Sequence, residues 1–189
     1  MDNTNLLATT KDLTVKIANQ SEFDKIHKLN HQVFSEEIPQ HKTREDGKLV
    51  DAFHEINTYI VALEGDELVG MVCYNALRPF SLDKKMSNLD GFLPPHSKLV
   101  EIRLLAVKKS KRKQGIALAM LKTLIPSLIA QGYDLGVISA SLQELELYDK
   151  IGAVPFGQLV GTKEVPYQPL YFHINNLKGS FKVGETNRG

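Results

Sequence analysis

One cysteine, Cys73, stands among 189 residues, so no disulfide can form within the chain. The run around it, MVCY, reads as buried strand, where a thiol serves as a small hydrophobe rather than a nucleophile. No window approaches the roughly 20 apolar residues that a membrane-spanning helix requires. No basic segment followed by an apolar core opens the chain, so a secretory signal is not expected there. A reducing, cytoplasmic location is the resulting expectation. Neither sign of charge dominates: 23 Lys and Arg oppose 22 Asp and Glu, a formal net charge of +1. No overall field therefore draws the chain to nucleic acid or to anionic lipid. The motifs GxxxxGK[ST], GxGxxG and HExxH are absent too, which removes support for a Walker loop, a dinucleotide site and a zincin.

The composition is 42% apolar and 24% charged, as in ordinary globular proteins, and the length suits one domain. That domain is expected over residues 12–176, with a flexible start at 1–11 and a fraying polar tail at 177–189. Leu13, Val15 and Ile17 alternate with polar residues and predict a strand. Ser21 and Asp24 form a candidate cap for a helix over about 21–34, with Phe23, Ile26, Leu29 and Val33 on one face and Pro39 beyond it. Leu49, Val50 and Phe53 suggest a second short helix from Arg44 to His54. TYIVAL and ELVGMVCYN read as a hairpin turned at Glu64, Gly65 and Asp66. Residues 78–98 hold three prolines and no period, which predicts a long binding loop or lid. LVEIRLLAV is the strongest strand signal. A helix follows from Gly115 to about Gln131, with Leu118, Leu121, Ile125, Leu128 and Ile129 facing inward. Pro126 should kink it or cut it short. DLGVISA, VPFGQLV and PLYFHI are strands and SLQELELYDK a short helix. The order predicts an α/β fold: a mixed, mostly antiparallel central sheet with one parallel pair, and helices on both faces.

Residues 108–113, KKSKRK, contain five cations and end just before Gly115, where the long helix starts. A helix start leaves unpaired N–H groups and the positive end of the macrodipole, and glycine permits close approach. Phosphate is the natural guest of such a place. Arg112 can add a bidentate contact worth roughly 1.5–3 kcal/mol when shielded from water. Lys108, Lys109, Lys111 and Lys113 contribute only about 0–1 kcal/mol each if exposed. The alternative for the lysines is a solvated turn. A nucleic-acid reader would follow such a run with a polar recognition helix, whereas this one is apolar.

LAVKKSKRKQGIA resembles the signature of the GNAT superfamily, the acetyl-CoA-dependent N-acyltransferases, at Leu105, Val107, Arg112, Gly115 and Ala117. LYDKIGA resembles its second motif at Leu147, Tyr148 and Gly152, with Ala153 in place of the usual Phe. The resemblance spans about residues 12–175 and is strong over 100–157. It implies a splayed parallel pair of strands and an acetyl-CoA or other acyl thioester co-substrate. The diphosphate would lie on backbone amides from Lys113 through Gln114, Gly115 and Ile116 to Ala117. Pantetheine would lie along Leu105, Ala106 and Val107. Ser141 takes the place of an asparagine that contacts the donor in many relatives.

Acyl transfer to an amine needs a base for the attacking ammonium and an acid for the departing thiolate. Glu101, six residues before Val107 on the same strand, is the candidate base. Arg103 shares its face, so substrate binding and a structural ion pair are the alternatives. Tyr148 is the candidate acid, or else a packed aromatic. For the acceptor, the resemblance points to the first helices and the loop before the central strand: Glu36, Glu37, His41, Tyr74, Arg78 and Phe80, with Arg103. Their mixed charges suit a small amino-acid-like amine. His27 and His31 have metal-ligand spacing, but no further ligand accompanies them, so no metal is expected. FSEEI and VDAFH also resemble the front half of N-acyl amino acid and acyl-homoserine-lactone synthases. In those relatives an arginine follows the strand glutamate by three residues, where this chain has Leu104. That second resemblance implies a longer acyl donor, carried on coenzyme A or on an acyl carrier protein. A coenzyme A sensor without catalysis is the alternative from another class, and a homodimer is compatible with all three.

Overall fold

The computed structural model describes residues 12–178, so the expectations for the chain start and for the polar tail lie outside the described residues. The first strand, β1 (Leu13–Ile17), is a half-exposed edge. Asn19, rather than Ser21 with Asp24, caps the helical segment after it: its side chain accepts from Ser21 N at 2.9 Å, while Glu22 accepts from Asn19 N at 2.8 Å. Helix α1 (Phe23–His31) buries Ile26 and Leu29, then widens into a π turn over Gln32–Glu37. No helix forms over 44–54. Asp46 captures the Lys48 amide and Asp51 the Phe53 amide, so side chains outcompete the helical ladder there, and only a 3-10 turn, His54–Ile56, is formed.

Strands β2 (Thr58–Glu64) and β3 (Glu67–Asn75) form the expected hairpin. The proline-rich segment is more ordered than its sequence suggests. It contains helix α2 (Ser81–Lys85) and a 3-10 turn, Leu89–Phe92. Phe80, Leu82 and Leu89 are buried, and Arg78 ties Asp83 to Asp90 at 2.6 and 3.0 Å. Strand β4 (Leu99–Val107), helix α3 (Ile116–Ala130), strand β5 (Leu135–Ser141) and helix α4 (Leu145–Lys150) come next. The predicted strand VPFGQLV breaks into β6 (Val154–Pro155) and β7 (Val160–Gly161), and β8 (Pro166–His173) completes the sheet.

The sheet order is β1-β2-β3-β4-β5-β8-β6, with β7 on β8. Among the described residues only β4 and β5 run parallel; every other pair is antiparallel. On one face α3 packs Ile116, Met120, Leu124 and Leu128 over Ile60, Val72 and Ile102. On the other, α1 covers Tyr59, Val61, Met71 and Cys73. Cys73 is fully buried, and burial pushes its thiol pKa upward. The buried stripe of α3 runs at i, i+4 from Ile116, which leaves Leu118 exposed, contrary to the predicted face. Pro126 does not cut the helix short. It lies on the exposed side of the helix. Among the described residues no helix is long and apolar enough to cross a membrane.

Candidate active site

The parallel pairing of β4 with β5 ends at Glu101 opposite Val137. Beyond it, β5 pairs with β8 and β4 with β3, so the facing edges of 102–107 and 138–141 diverge. A β-bulge sharpens the divergence. Arg103 pairs with Cys73 and Ala106 with Met71, so Leu104 and Leu105 both oppose Val72, and Leu104 takes a left-handed φ of 55°. The wedge between the strands is therefore edged by main-chain groups of Leu105, Ala106 and Val107 that β5 does not pair.

The N-terminus of α3 opens onto the same region. Gly115 caps it at φ 79°, and among the described residues no side chain bonds its first turn. Lys113 is also left-handed, at φ 64°. Such alternation gathers successive N–H groups into an anion-sized concavity. A Cβ on Gly115 would meet nothing within 4 Å, so neighbouring atoms do not dictate the glycine; the positive φ does. Gly70 sets the depth of the helix. A Cβ there would come within 3.0 Å of both Ile116 and Met120, so this glycine in mid-strand lets the first turn of α3 sit close on β3.

The cations of the basic turn divide into two groups. Lys108 pairs with Glu67 and Lys111 with Glu64, both on the β2–β3 hairpin. Lys109 and Lys113 are exposed and make no ion pair among the described residues. Arg112 donates Nε to the Val107 carbonyl at 3.0 Å and its guanidinium to the Glu37 carboxylate. Glu37, a candidate acceptor ligand from sequence, thus braces the basic turn, and its other oxygen is buried without a hydrogen bond.

Glu101 lies on the opposite flank and is only 1% exposed. Its carboxylate accepts from Ser81 N at 2.8 Å, Ser81 Oγ at 2.6 Å and Leu82 N at 3.1 Å, and Arg103 Nε stands 3.6 Å away. It therefore satisfies the start of α2 through three accepted hydrogen bonds. Arg103 grips Asp51 through two bonds of 2.7 and 2.9 Å and stacks on Phe53 at 4.6 Å. Burial works to raise the pKa of Asp51, but Arg103, Asn57 and the Phe53 amide outweigh it and hold the carboxyl below its usual range.

Tyr148 is 8% exposed and belongs to the large core cluster. Among the described residues no group hydrogen-bonds its hydroxyl, whose pKa burial and then the charge of Glu144 push up. Glu144 immediately precedes α4 and is exposed, and desolvation by neighbouring protein raises its pKa against the pull of Arg112. Tyr167 of β8 feels the same charge and donates to Gln40 Oε1 at 2.7 Å. Ser141 ends β5 and accepts from the Gln143 amide at 3.4 Å.

The remaining sequence candidates are not brought into this wedge. Tyr74 is buried under α3, with its hydroxyl 3.3 Å from Gln131 Nε2. Phe80 is a core residue beneath the Arg78 guanidinium. Glu36 pairs with His31 Nδ1 at 3.0 Å, and His31 Nε2 accepts the Arg44 amide at 2.8 Å, so that histidine has no free nitrogen to share with His27. Burial lowers the pKa of His41, which senses Asp51 and Lys85. The sequence does not single out Asp51, the partner of Arg103, or Gln40, the partner of Tyr167.

A model of the acetyltransferase (GNAT) family matches residues 23–153. No curated protein matches the chain. Similar solved structures include BjaI, a CoA-dependent acyl-homoserine lactone synthase with SAM and isopentyl-CoA, at 18% identity and TM-score 0.73, covering 88% of this chain and 86% of that one. FeeM, an N-acyl amino acid synthase from uncultured soil microbes, is similar at 14% identity and TM-score 0.67, covering 87% and 92%. An N-acetyltransferase from Staphylococcus aureus Mu50 is similar at 16% identity and TM-score 0.63, covering 86% and 99%.

Proposed function

Because the chain belongs to the acetyltransferase (GNAT) family, we propose that it moves an acetyl group from acetyl-CoA to the amine of a small, amino-acid-like acceptor by direct attack in a ternary complex. The observation that carries this reading is the uncapped first turn of α3 at the mouth of the β4–β5 wedge. Amides over 113–117 suit a diphosphate, and the strand-like edge of Leu105, Ala106 and Val107 suits the amide-rich arm of coenzyme A. The amine attacks the thioester carbonyl, and Tyr148, whose hydroxyl has no protein partner among the described residues, gives its proton to the departing sulfur. Titration calorimetry with coenzyme A should show binding, and acetyl-CoA with a panel of amines should release free thiol. No heat and no thiol across the panel would refute the proposal.

The second reading, transfer of a longer acyl group, is supported by the likeness in fold to structures of an acyl-homoserine lactone synthase and an N-acyl amino acid synthase. Donors of increasing chain length, with product mass as the readout, separate the two. Turnover confined to acetyl excludes the longer donor.

A further inference from the structure

Two long-range bonds tie one short stretch of chain to both sides of the wedge. Arg112, whose Nε is fixed on the Val107 carbonyl at the end of β4, holds Glu37. Three residues on, Gln40 Oε1 accepts the hydroxyl of Tyr167 at 2.7 Å. Tyr167 stands on β8 opposite Ser141, the last residue of β5. Residues 37–40 therefore bridge the two strand ends that diverge. Three residues of extended chain span at most about 10–11 Å, so the bridge has little slack. Main-chain bonds hold its shape: Ile38 N donates to the Val33 carbonyl at 2.9 Å and His41 N to the Phe34 carbonyl at 3.0 Å. Ile38 packs on the apolar cluster that α1 covers, beside Leu104 and Ala106 of β4. Tyr167 belongs to a separate cluster with Val137, Phe80 and Phe156. Val137 alternates with Ile138, which packs under α3, so this second cluster also lies on the α1 face. The two clusters share no residue, and the polar contact of Gln40 with Tyr167 crosses the gap between them.

We infer that residues 37–40 are a strap that keeps bulk water out of the α1 side of the wedge, with Tyr167 as the positioning residue that holds it shut, an inference that rests on the acyl-transfer reading of this cleft. Two attackers compete for a thioester there. An amine adds to the carbonyl carbon, the carbon–sulfur bond breaks, and amide and thiol leave. Water adds to the same carbon, the same bond breaks, and carboxylic acid and thiol leave. A closed site suppresses the second course by excluding water. The strap must open for the acceptor to enter and reclose before attack, and the bond between Gln40 and Tyr167 biases that balance toward the closed form. A single hydrogen bond of this kind shifts such a balance by about 2- to 10-fold.

The test compares thiol released with amide formed, by thiol titration and product mass, using acetyl-CoA and an amine that the native chain acylates. Tyr167→Phe removes the hydroxyl and Gln40→Ala its acceptor. Each should raise the ratio of acid to amide about 2- to 10-fold. The double variant should do no more than either single one, because both delete the same bond. Gln40→Glu keeps an acceptor oxygen and should hold the native ratio. The control is Tyr171→Phe, which removes a hydroxyl from the same strand at a ring that contacts Phe156 and His173 instead of the strap. It should keep the native ratio. A loss of melting temperature alone does not change how a bound thioester divides between amine and water. A native ratio in both Tyr167→Phe and Gln40→Ala, whatever their melting temperatures, therefore overturns the strap while leaving acyl transfer standing. A native chain that acylates no amine at all overturns the transfer reading, and the strap with it.

Discussion

The two ends of β4 are satisfied to different degrees. At its start, Glu101 and Arg103 sit in a closed network with Ser81, Leu82 and Asp51. At its end, the edge of Leu105, Ala106 and Val107 lacks a partner on the β5 side, and the helix start beyond carries uncapped amides. Residues 112–115 are exposed, so solvent serves the amides there until an anion takes its place. The first region therefore holds the fold, and the second is where the proposed donor lies.

The largest effect that would test this contrast is on stability. Arg103→Ala strands Asp51, whose side chain is only 10% exposed, without its bidentate partner. Breaking a buried pair on one side costs about 3–5 kcal/mol, and urea unfolding should read a loss of that size. A loss below about 1 kcal/mol, the value of an exposed pair, would show that the network is not structural.

Glu101→Gln sharpens the same point with a smaller change. An amide in place of the carboxylate turns a donor toward the Ser81 or Leu82 N–H, leaving a buried donor unsatisfied at about 1–3 kcal/mol. Stability should fall by that amount while kcat keeps at least a tenth of its native value. A collapse of about 100-fold in kcat with stability intact would instead make Glu101 a reacting group.

The elements of the wedge were legible because their signals are local. Alternation announced β4, and a cation run followed by Gly115 announced the turn and the helix start. Charge partners were not legible, because folding chooses them over long separations: Arg103 finds Asp51 from 52 residues away, and Arg112 finds Glu37 from 75. The same cause hid the role of Glu101, whose partners stand about twenty residues earlier in a segment with no period. Local signals also misled. Leu49, Val50 and Phe53 imitate a helical face, but Asp46 and Asp51 take the amides that such a helix would need. In α3, Leu118 fits the apolar pattern yet stands in solvent, because the close seat made by Gly70 rotates Ile116 and Met120 inward.

Arg112 is the point where the two regions compete, and it gives the smallest predicted effect. Its guanidinium is held by Glu37 on the π turn after α1, with side chains 42% and 19% exposed. A donor phosphate arriving at the start of α3 must share Arg112 with Glu37 or displace it. Glu37→Gln removes the charge that competes for Arg112. Solvent screens a pair this open, so the gain is about 1 kcal/mol at most. Coenzyme A should therefore bind about fivefold more tightly to Glu37→Gln in titration calorimetry, and the gain should shrink as salt rises. Weaker binding would mean that Glu37 holds Arg112 in the binding posture rather than away from it. The carboxylate would then belong with the site, and the boundary between the two regions would move to the π turn.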